Sequence, residues 1–368
     1  MVRLKSIDTF RGIAVLAMIW LHVSEWWLSG DSQWFLDVPL FVTQYGFLVS
    51  YQFISGISRY LFYKTGGSMI ETPEIVNNRK IKRQFLVRGI FLLVVGLLFN
   101  SGIAISTSRP SEIWSWFILL SISISIILIT PLLDTSKKTR TFLGVLFMAL
   151  NFSILWFLQD FEGQSNVFGV LFHLLFYPTG LHPILSSFAV FLIGTVVGEV
   201  IYETYYQEEK KRRLNLLKKR LMLPSITIGV ILVIFVLIAN WFNFLNIPSF
   251  YGIISATGIS LILFSLFVII EESEIIKVNK KYNFIFYFSY YSLTIYLVHH
   301  LLYFVFFESM NALMSQFAIV LTVVLIGLFL KLIYPKVGGT ISIKMIISKL
   351  TNKIVMRLDR KKDSDKLE

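Results

Sequence analysis

Residues 10–29 read FRGIAVLAMIWLHVSEWWLS. A helix needs about 20 mostly apolar residues to cross the hydrocarbon core of a bilayer, and this run has that length and character. It also holds Arg11, His22 and Glu25, which a plain anchor does not need. Nine further runs of the same kind follow, at 39–63, 85–105, 112–133, 141–159, 183–203, 223–245, 251–270, 284–307 and 315–334. The whole chain is 55% apolar and only 15% charged, with a mean hydropathy of +0.71. Average soluble proteins hold about 45–50% and about 25%. So little charge does not cover a water-soluble surface of 368 residues. The expectation is an all-α, polytopic membrane bundle of about ten transmembrane helices. The absence of cysteine excludes disulfides, thiolate metal sites and a cysteine nucleophile.

The positive charges orient the bundle. With alternate connections assigned to the cytoplasm from the amino terminus onward, Arg109 alone of the 34 Lys and Arg residues falls outside. The others gather around Arg3 and Lys5, from Arg79 to Arg88, Lys137 to Arg140, Lys210 to Arg220, Lys277 to Lys281, and after Lys336. This positive-inside pattern requires an even number of spans and places both termini in the cytoplasm. The net charge of +12 therefore points to the inner membrane face, and nucleic acid is not an expected partner. The first run continues past signal-peptide length with no small-residue cleavage site, so it reads as a retained span. The pair Trp26–Trp27 reads as a marker of the outer interface. The connection 160–182 is half apolar, from Val167 to Tyr177, and is expected to dip into the membrane or to cap a cavity.

The sequence divides into a membrane domain over 1–335 and a basic amphipathic tail over 336–368. In the tail, Ile343, Ile346, Ile347, Leu350, Ile354 and Leu358 fall at helical spacing, with Lys344, Lys349, Lys353 and Arg357 between them. An interfacial helix on the anionic inner leaflet is expected, acting as an anchor, with Arg360 to Glu368 disordered.

Ionisable groups inside a span are functional candidates by default. In the first run Asp8, Arg11, His22 and Glu25 share one face, since positions 8, 11, 15, 18, 22 and 25 advance by three or four. His22 lies about 16 Å beyond Arg11 at 1.5 Å per residue, near the midplane. In the ninth run Ser289, Ser292, Tyr296, His299 and Tyr303 form a second stripe, with His300 beside it. His299 reaches about 22 Å above the start of its run, a depth similar to that of His22. The two stripes are expected to share a cavity, although membrane histidines and Tyr–Ser stripes also serve packing. His173 reads as interfacial, and His182 stands at the mouth of the sixth span.

At the inner edge Arg11, Arg59 and Arg88 come from three different runs. A ring of guanidinium groups suits a polyanionic cytoplasmic ligand; for each, snorkelling to lipid phosphate is the alternative. Ser55 and Gly56 read first as packing residues. No carboxylate sits at mid-bilayer, and no broken helices in matching positions of two halves are evident, which counts against an ion-coupled transporter.

The stretch Lys5-Ser6-Ile7-Asp8-Thr9-Phe10-Arg11-Gly12-Ile13-Ala14, with Met18 and His22, resembles the transmembrane acyltransferase superfamily. Ser-x-Asp-Thr-Phe-Arg-Gly, Phe53-Ile54-Ser55-Gly56-Ile57-Ser58 and Leu86-Val87-Arg88-Gly89-Ile90-Phe91 are similar to its heparan-α-glucosaminide N-acetyltransferase-like branch. The spacing from Arg11 to His22 and Tyr296-Leu297-Val298-His299 resemble the acyltransferase-three family. Animal members of the first branch carry their essential histidine in the loop after the first span. Here Leu28 to Pro39 holds none, and His22 takes the in-helix place.

The resemblance implies an acyl-CoA donor, usually acetyl-CoA, on the cytoplasmic side and an acceptor on the other. Arg11, Arg88, Arg59 and Ser55 are the candidates at the donor end, and no metal is expected. His22 is the candidate base or acyl carrier, Tyr296 or His299 the candidate oxyanion partner, and Asp8 a residue that fixes Arg11. The expected function is transfer of an acetyl or short acyl group to a hydroxyl or amine of a sugar, amino sugar or glycolipid. The expected partners are acyl-CoA, that acceptor and the lipid bilayer, with a homodimer left open. A flippase for a lipid-linked glycan and a non-catalytic scaffold are the alternatives. Lack of cysteine and richness in Ile, Lys and Asn are compatible with a prokaryotic plasma membrane.

Overall fold

The computed structural model describes residues 4–66, 78–178, 181–207, 209–241, 248–274, 283–337 and 339–364. The basic residues Arg3 and Lys277 to Lys281, and the last four residues, lie outside this set. Fifteen helices follow in order: α1 Lys5–Trp27, α2 Asp37–Val42, α3 Ser50–Lys64, α4 Asn78–Thr107, α5 Ile118–Ile129, α6 Lys137–Leu158, α7 Val167–Phe176, α8 Ile184–Gln207, α9 Lys210–Leu217, α10 Leu223–Trp241, α11 Pro248–Glu272, α12 Asn283–Tyr290, α13 Ser292–Val298, α14 Ala312–Val337 and α15 Ile343–Ser364.

Among the described residues, eight helices are long and apolar enough to cross a membrane. They occupy the first, third to eighth and tenth of the apolar runs, and the protein is an all-α integral membrane bundle. The other two runs bend. Over 39–63 the chain passes from α2 through a π turn at Thr43–Phe47 into α3. Over 284–307 it bends at Tyr291 between α12 and α13, then tightens to a 3₁₀ turn at His299–Phe304. Proline is absent from both bends, so the apolar pattern does not disclose them. They lie in the second and ninth runs and do not form the matched pair typical of transporter halves. Irregular turns inside helices often mark functional positions.

The centre is α8, whose face from Phe188 to Leu192 is buried against α3 and α6. Gly56 and Gly194 meet where α3 crosses α8. A Cβ on Gly56 would collide with the Phe191 carbonyl, and one on Gly194 with that of Phe53. Such small-residue crossings replace the hydrophobic drive that lipid does not supply. The sequence reading of Gly56 as a packing residue agrees with this contact.

Helix α1 is held at both ends. The Glu271 carboxylate at the end of α11 accepts from Lys5 N at 2.8 Å and Ser6 N at 2.7 Å, satisfying two of the free N–H groups of the first turn. At the other end Glu308 N donates to Trp26 O, Met310 N to Trp27 O and Ser29 N to Met310 O, forming a short bridge between Leu28 and Met310. This clasp brings the chain after the 3₁₀ turn against the top of α1. It also gives both indoles of Trp26–Trp27 protein partners. Trp27 is fully buried and donates through Nε1 to the Leu302 carbonyl at 2.7 Å, and Trp26 stacks on histidines. Buried backbone acceptors and ring faces draw both indoles inward.

The connection 160–182 carries the short apolar helix α7, capped by Asn166, whose Oδ1 accepts from Gly169 N at 2.8 Å. Phe172 and Phe176 are buried, whereas Val167, Val170 and Leu174 are exposed as a lipid-facing surface would be. The basic tail forms α15 as its spacing predicts. Helix α15 lies on α4, with an ion pair from Arg83 to Asp359 and a Gln84–Asn352 hydrogen bond at 3.2 Å. Its start is tied to α13 by Ile343 N donating to Thr294 Oγ1 at 3.1 Å. Arg360 to Ser364, expected to be disordered, continue this helix.

Candidate functional site

The two polar stripes face each other. Near one end of α1, Asp8 is buried and accepts from Ser289 Oγ on α12 at 2.9 Å. Toward the other end the His22 and His299 rings stand 5.4 Å apart, and Tyr303 meets Trp26 at 6.0 Å. A three–four spacing on each helix is what lets one inward face contribute at both levels.

Around His22 the cluster is dense. Trp26 stacks on His22 at 5.7 Å and on His299 at 5.6 Å. The 3₁₀ turn packs His300 beside His299, with ring centroids 4.3 Å apart, and Phe99 of α4 closes on His300 at 5.0 Å. His22 Nδ1 lies 3.5 Å from the Glu25 carboxylate, and its side chain keeps 38% exposure. His22 is thus neither sealed off nor turned onto lipid alone.

The tautomer of His299 follows from its partner. Its Nδ1 lies 2.6 Å from the Tyr296 carbonyl oxygen, which only accepts, so Nδ1 carries the hydrogen. A neutral ring then keeps its lone pair on Nε2. That atom is buried with no hydrogen-bond partner among the described residues. Tyr296 itself points its ring toward Phe99 at 5.5 Å and His299 at 5.7 Å.

Two residues enlarge the cluster beyond its strongest sequence candidates. His182, at the entrance to α8, lies within electrostatic reach of His22. Its Nδ1 is 3.2 Å from the Gln52 amide nitrogen on α3. Burial, with the nearby His22 second, pushes the His182 imidazole down to about 4. Gln52 carries no sequence signal beyond being a polar residue in an apolar run.

At the opposite level Arg11, Arg59 and Arg88 stand within electrostatic reach of one another. Arg11 donates to Ser58 Oγ at 2.8 Å; the partner supplied by α3 is therefore Ser58, while Ser55 lies half-buried one turn away. Arg59 sits over the Phe85 ring at 5.1 Å. Neither Arg59 nor Arg88 pairs with a carboxylate among the described residues. A fourth cation, Lys344 of α15, joins them. Burial and then Arg11, Arg88 and Arg59 push its ammonium well below the usual lysine range, with Asp8 opposing.

Tyr51 of α3 links the two levels, within electrostatic reach of both Arg11 and Tyr296. Buried Tyr51 Oη, Gln52 Oε1, Arg88 Nε, His299 Nε2 and His300 Nδ1 have no hydrogen-bond partner among the described residues. Leaving such atoms unpaired in a low-dielectric interior is costly, so a polar ligand is chemically suited to these positions. No three His, Asp or Glu groups among the described residues converge on a metal position.

A family model described as heparan-alpha-glucosaminide N-acetyltransferase, catalytic, matches residues 3–238, well over half of the chain. The matched stretch carries Arg11, His22, Gln52, Ser55, Arg59, Arg88 and His182. Tyr296, His299, His300 and Lys344 come from the chain beyond it. None of the curated proteins matches the chain.

Proposed function

The chain belongs to the heparan-alpha-glucosaminide N-acetyltransferase catalytic family, and we propose that it moves an acetyl group from acetyl-CoA, bound at the arginine level, to a hydroxyl or amine of a sugar or glycolipid at the histidine level. The observation that carries this reading is the placement of Arg11 and His22 on one helix face. His22 meets His299 at 5.4 Å at one level, and Arg11 meets two further arginines at the other.

Arg11, Arg59 and Arg88 bind the donor's phosphates, because planar guanidinium groups match phosphate oxygens. The column of about 16 Å from Arg11 to His22 is comparable to a pantetheine arm. His299 Nε2 or the His22 ring accepts the proton of the acceptor hydroxyl or amine as its oxygen or nitrogen attacks the thioester carbonyl. The carbon–sulfur bond breaks, and the departing thiolate recovers that proton. Direct attack and passage through an acyl-histidine both satisfy this balance. The Tyr296 hydroxyl is suited to hold the oxyanion. Asp8, through Ser289, fixes the register of α1 against α12. The basic level, with both termini, faces the cytoplasm of a prokaryotic cell. Residues 1–335 carry the chemistry.

The test is CoA release by the purified protein from acetyl-CoA with amino sugars, in wild type and His22→Ala. Release that depends on the acceptor and on His22 supports the reading. Absence of both CoA release and CoA binding overturns it, and glycan movement without CoA release, unchanged in His22→Ala, establishes the transport alternative.

A further inference from the structure

The tail helix α15 reads from its spacing as an interfacial anchor on the anionic inner leaflet. Its first turn is also packed against the bundle. Ser342 and Ile347 are buried against the bundle, and Ile343 N is hydrogen-bonded to Thr294 of α13. Between those fixed points half-buried Lys344 comes within electrostatic reach of Arg11, Arg59 and Arg88. Ile346 and Leu350, by contrast, remain exposed and free to lie on lipid.

Four cations from four helices, gathered at the edge of a low-dielectric bundle, repel one another. Lys344 makes no ion pair among the described residues, and Asp8 is the carboxylate within its electrostatic reach. A group of this kind is relieved by a ligand with several negative charges. One phosphate would be shared thinly among four donors; a bisphosphate or pyrophosphate matches them better. Helix α15 also pins this position mechanically, through the Arg83–Asp359 pair and the Gln84–Asn352 bond on α4. A lysine held only by lipid contacts would not be fixed so.

We propose that Lys344 is a ligand-binding residue: with Arg11, Arg59 and Arg88 it forms a four-cation site for the polyphosphate head of the thioester donor, so that α15 completes the donor site from beyond the matched family region. The proposal deepens the acetyltransferase reading and rests on it for the identity of the donor. The phosphate chemistry itself does not require that reading. A lipid headgroup phosphate offers the same chemistry at the same depth and is the other source to be separated.

The experiment uses the full chain in nanodiscs and measures binding of adenosine 3′,5′-bisphosphate and of pyrophosphate by calorimetry, without turnover. Lys344→Gln is expected to weaken both about tenfold, about 1.4 kcal/mol at 25 °C. Lys344→Arg is expected to retain most of the affinity, and Lys349→Gln, on an exposed position of the same helix, to leave it unchanged. Equal binding by wild type and Lys344→Gln, or no binding by wild type, overturns the proposal. Binding in neutral-lipid discs that disappears in anionic-lipid discs assigns the site to headgroup phosphate and also overturns it. In a kinetic arm, Lys344→Gln raises KM for acetyl-CoA with kcat little changed and leaves S-acetyl-pantetheine, which lacks the phosphates, unaffected. Should the bisphosphate bind through Lys344 while no acetyl group is ever transferred, the site stands and the acetyltransferase reading falls.

Discussion

The imidazole rings of His22 and His299 lie 5.4 Å apart although they come from the first and ninth apolar runs of the chain. Only one ring has its tautomer fixed by a carbonyl, that of His299. His299→Asn keeps a donor near the Nδ1 position and removes the Nε2 lone pair. It is expected to fold with near-normal thermal stability and to lose about 10²–10⁴-fold in kcat. His22→Ala is expected to lose a similar factor. Acetyl transfer and melting in detergent, measured on the same samples, separate chemistry from folding; wild-type turnover in His299→Asn excludes it as the base.

Arg59 and Arg88 are expected to act on donor affinity and to leave the bond-making step alone. Arg59→Gln and Arg88→Gln each should raise KM for acetyl-CoA about tenfold or more, since a charge-assisted hydrogen bond contributes about 1.5–3 kcal/mol. The double substitution should also flatten the dependence of KM on ionic strength. An unchanged KM in both variants places their guanidinium groups on lipid phosphate, the snorkelling alternative.

His182 gives the fold an acid limit. Its pKa is pushed down to about 4 from 6.5 by burial. With the folded value depressed, the unfolded chain binds the extra proton first. The stability this group supplies is full above about 6.5 and is lost as pH falls toward 4. Thermal midpoints in detergent should fall over that window in wild type, and the slope should be shallower in His182→Asn. Identical slopes in the two proteins contradict the assignment.

Lys344 gives the donor site a slope of the opposite kind. Its free-state ammonium is held well below the lysine range by burial and by Arg11, Arg88 and Arg59, against Asp8. A bound polyanion favours the protonated form, so bisphosphate affinity should rise as pH falls through the free-state value. Lys344→Arg stays charged and should show less of this slope. Calorimetry across pH, in buffers of different ionisation heat, reads the proton taken up.

Much of this architecture is legible in the amino-acid sequence itself. The run at 141–159 becomes helix α6, and positions 8, 11 and 22 of the first stripe turn toward the other helices, with Glu25 left exposed, because a 3.6-residue period fixes which side chains share a side. What periodicity does not carry is the third dimension. His182 joins the histidines through the path of a connection, and Gln52 through the rotation of α3. The bends at Thr43–Phe47 and Tyr291 have no proline to announce them. Trp26 and Trp27 match an interfacial pair by composition, yet the acceptor that turns Trp27 inward, Leu302 O, lies far along the sequence. Lys344 falls on what the local pattern marks as the polar face of an interfacial helix; its half-burial comes from the packing of α15 on α4 and α13.

The α3–α8 crossing offers a test of the bundle apart from its chemistry. Gly56→Ala and Gly194→Ala each force a methyl group into an opposing backbone carbonyl. Overpacking of this kind typically costs about 1–3 kcal/mol. Both should lower the melting temperature and the yield of folded protein, and Gly102→Ala, where a Cβ meets nothing within 4 Å, should not.

Helix α1 is tethered at its foot by Glu271 and at its head by the Leu28–Met310 bridge. A rod secured at both ends has no pivot, so the guanidinium and imidazole it carries keep a constant separation through turnover. It works as a ruler. Thioester donors whose arm is shortened or lengthened by a few bonds should bind by their phosphates and yet fail to deliver, and the chain thereby gauges its donor by reach.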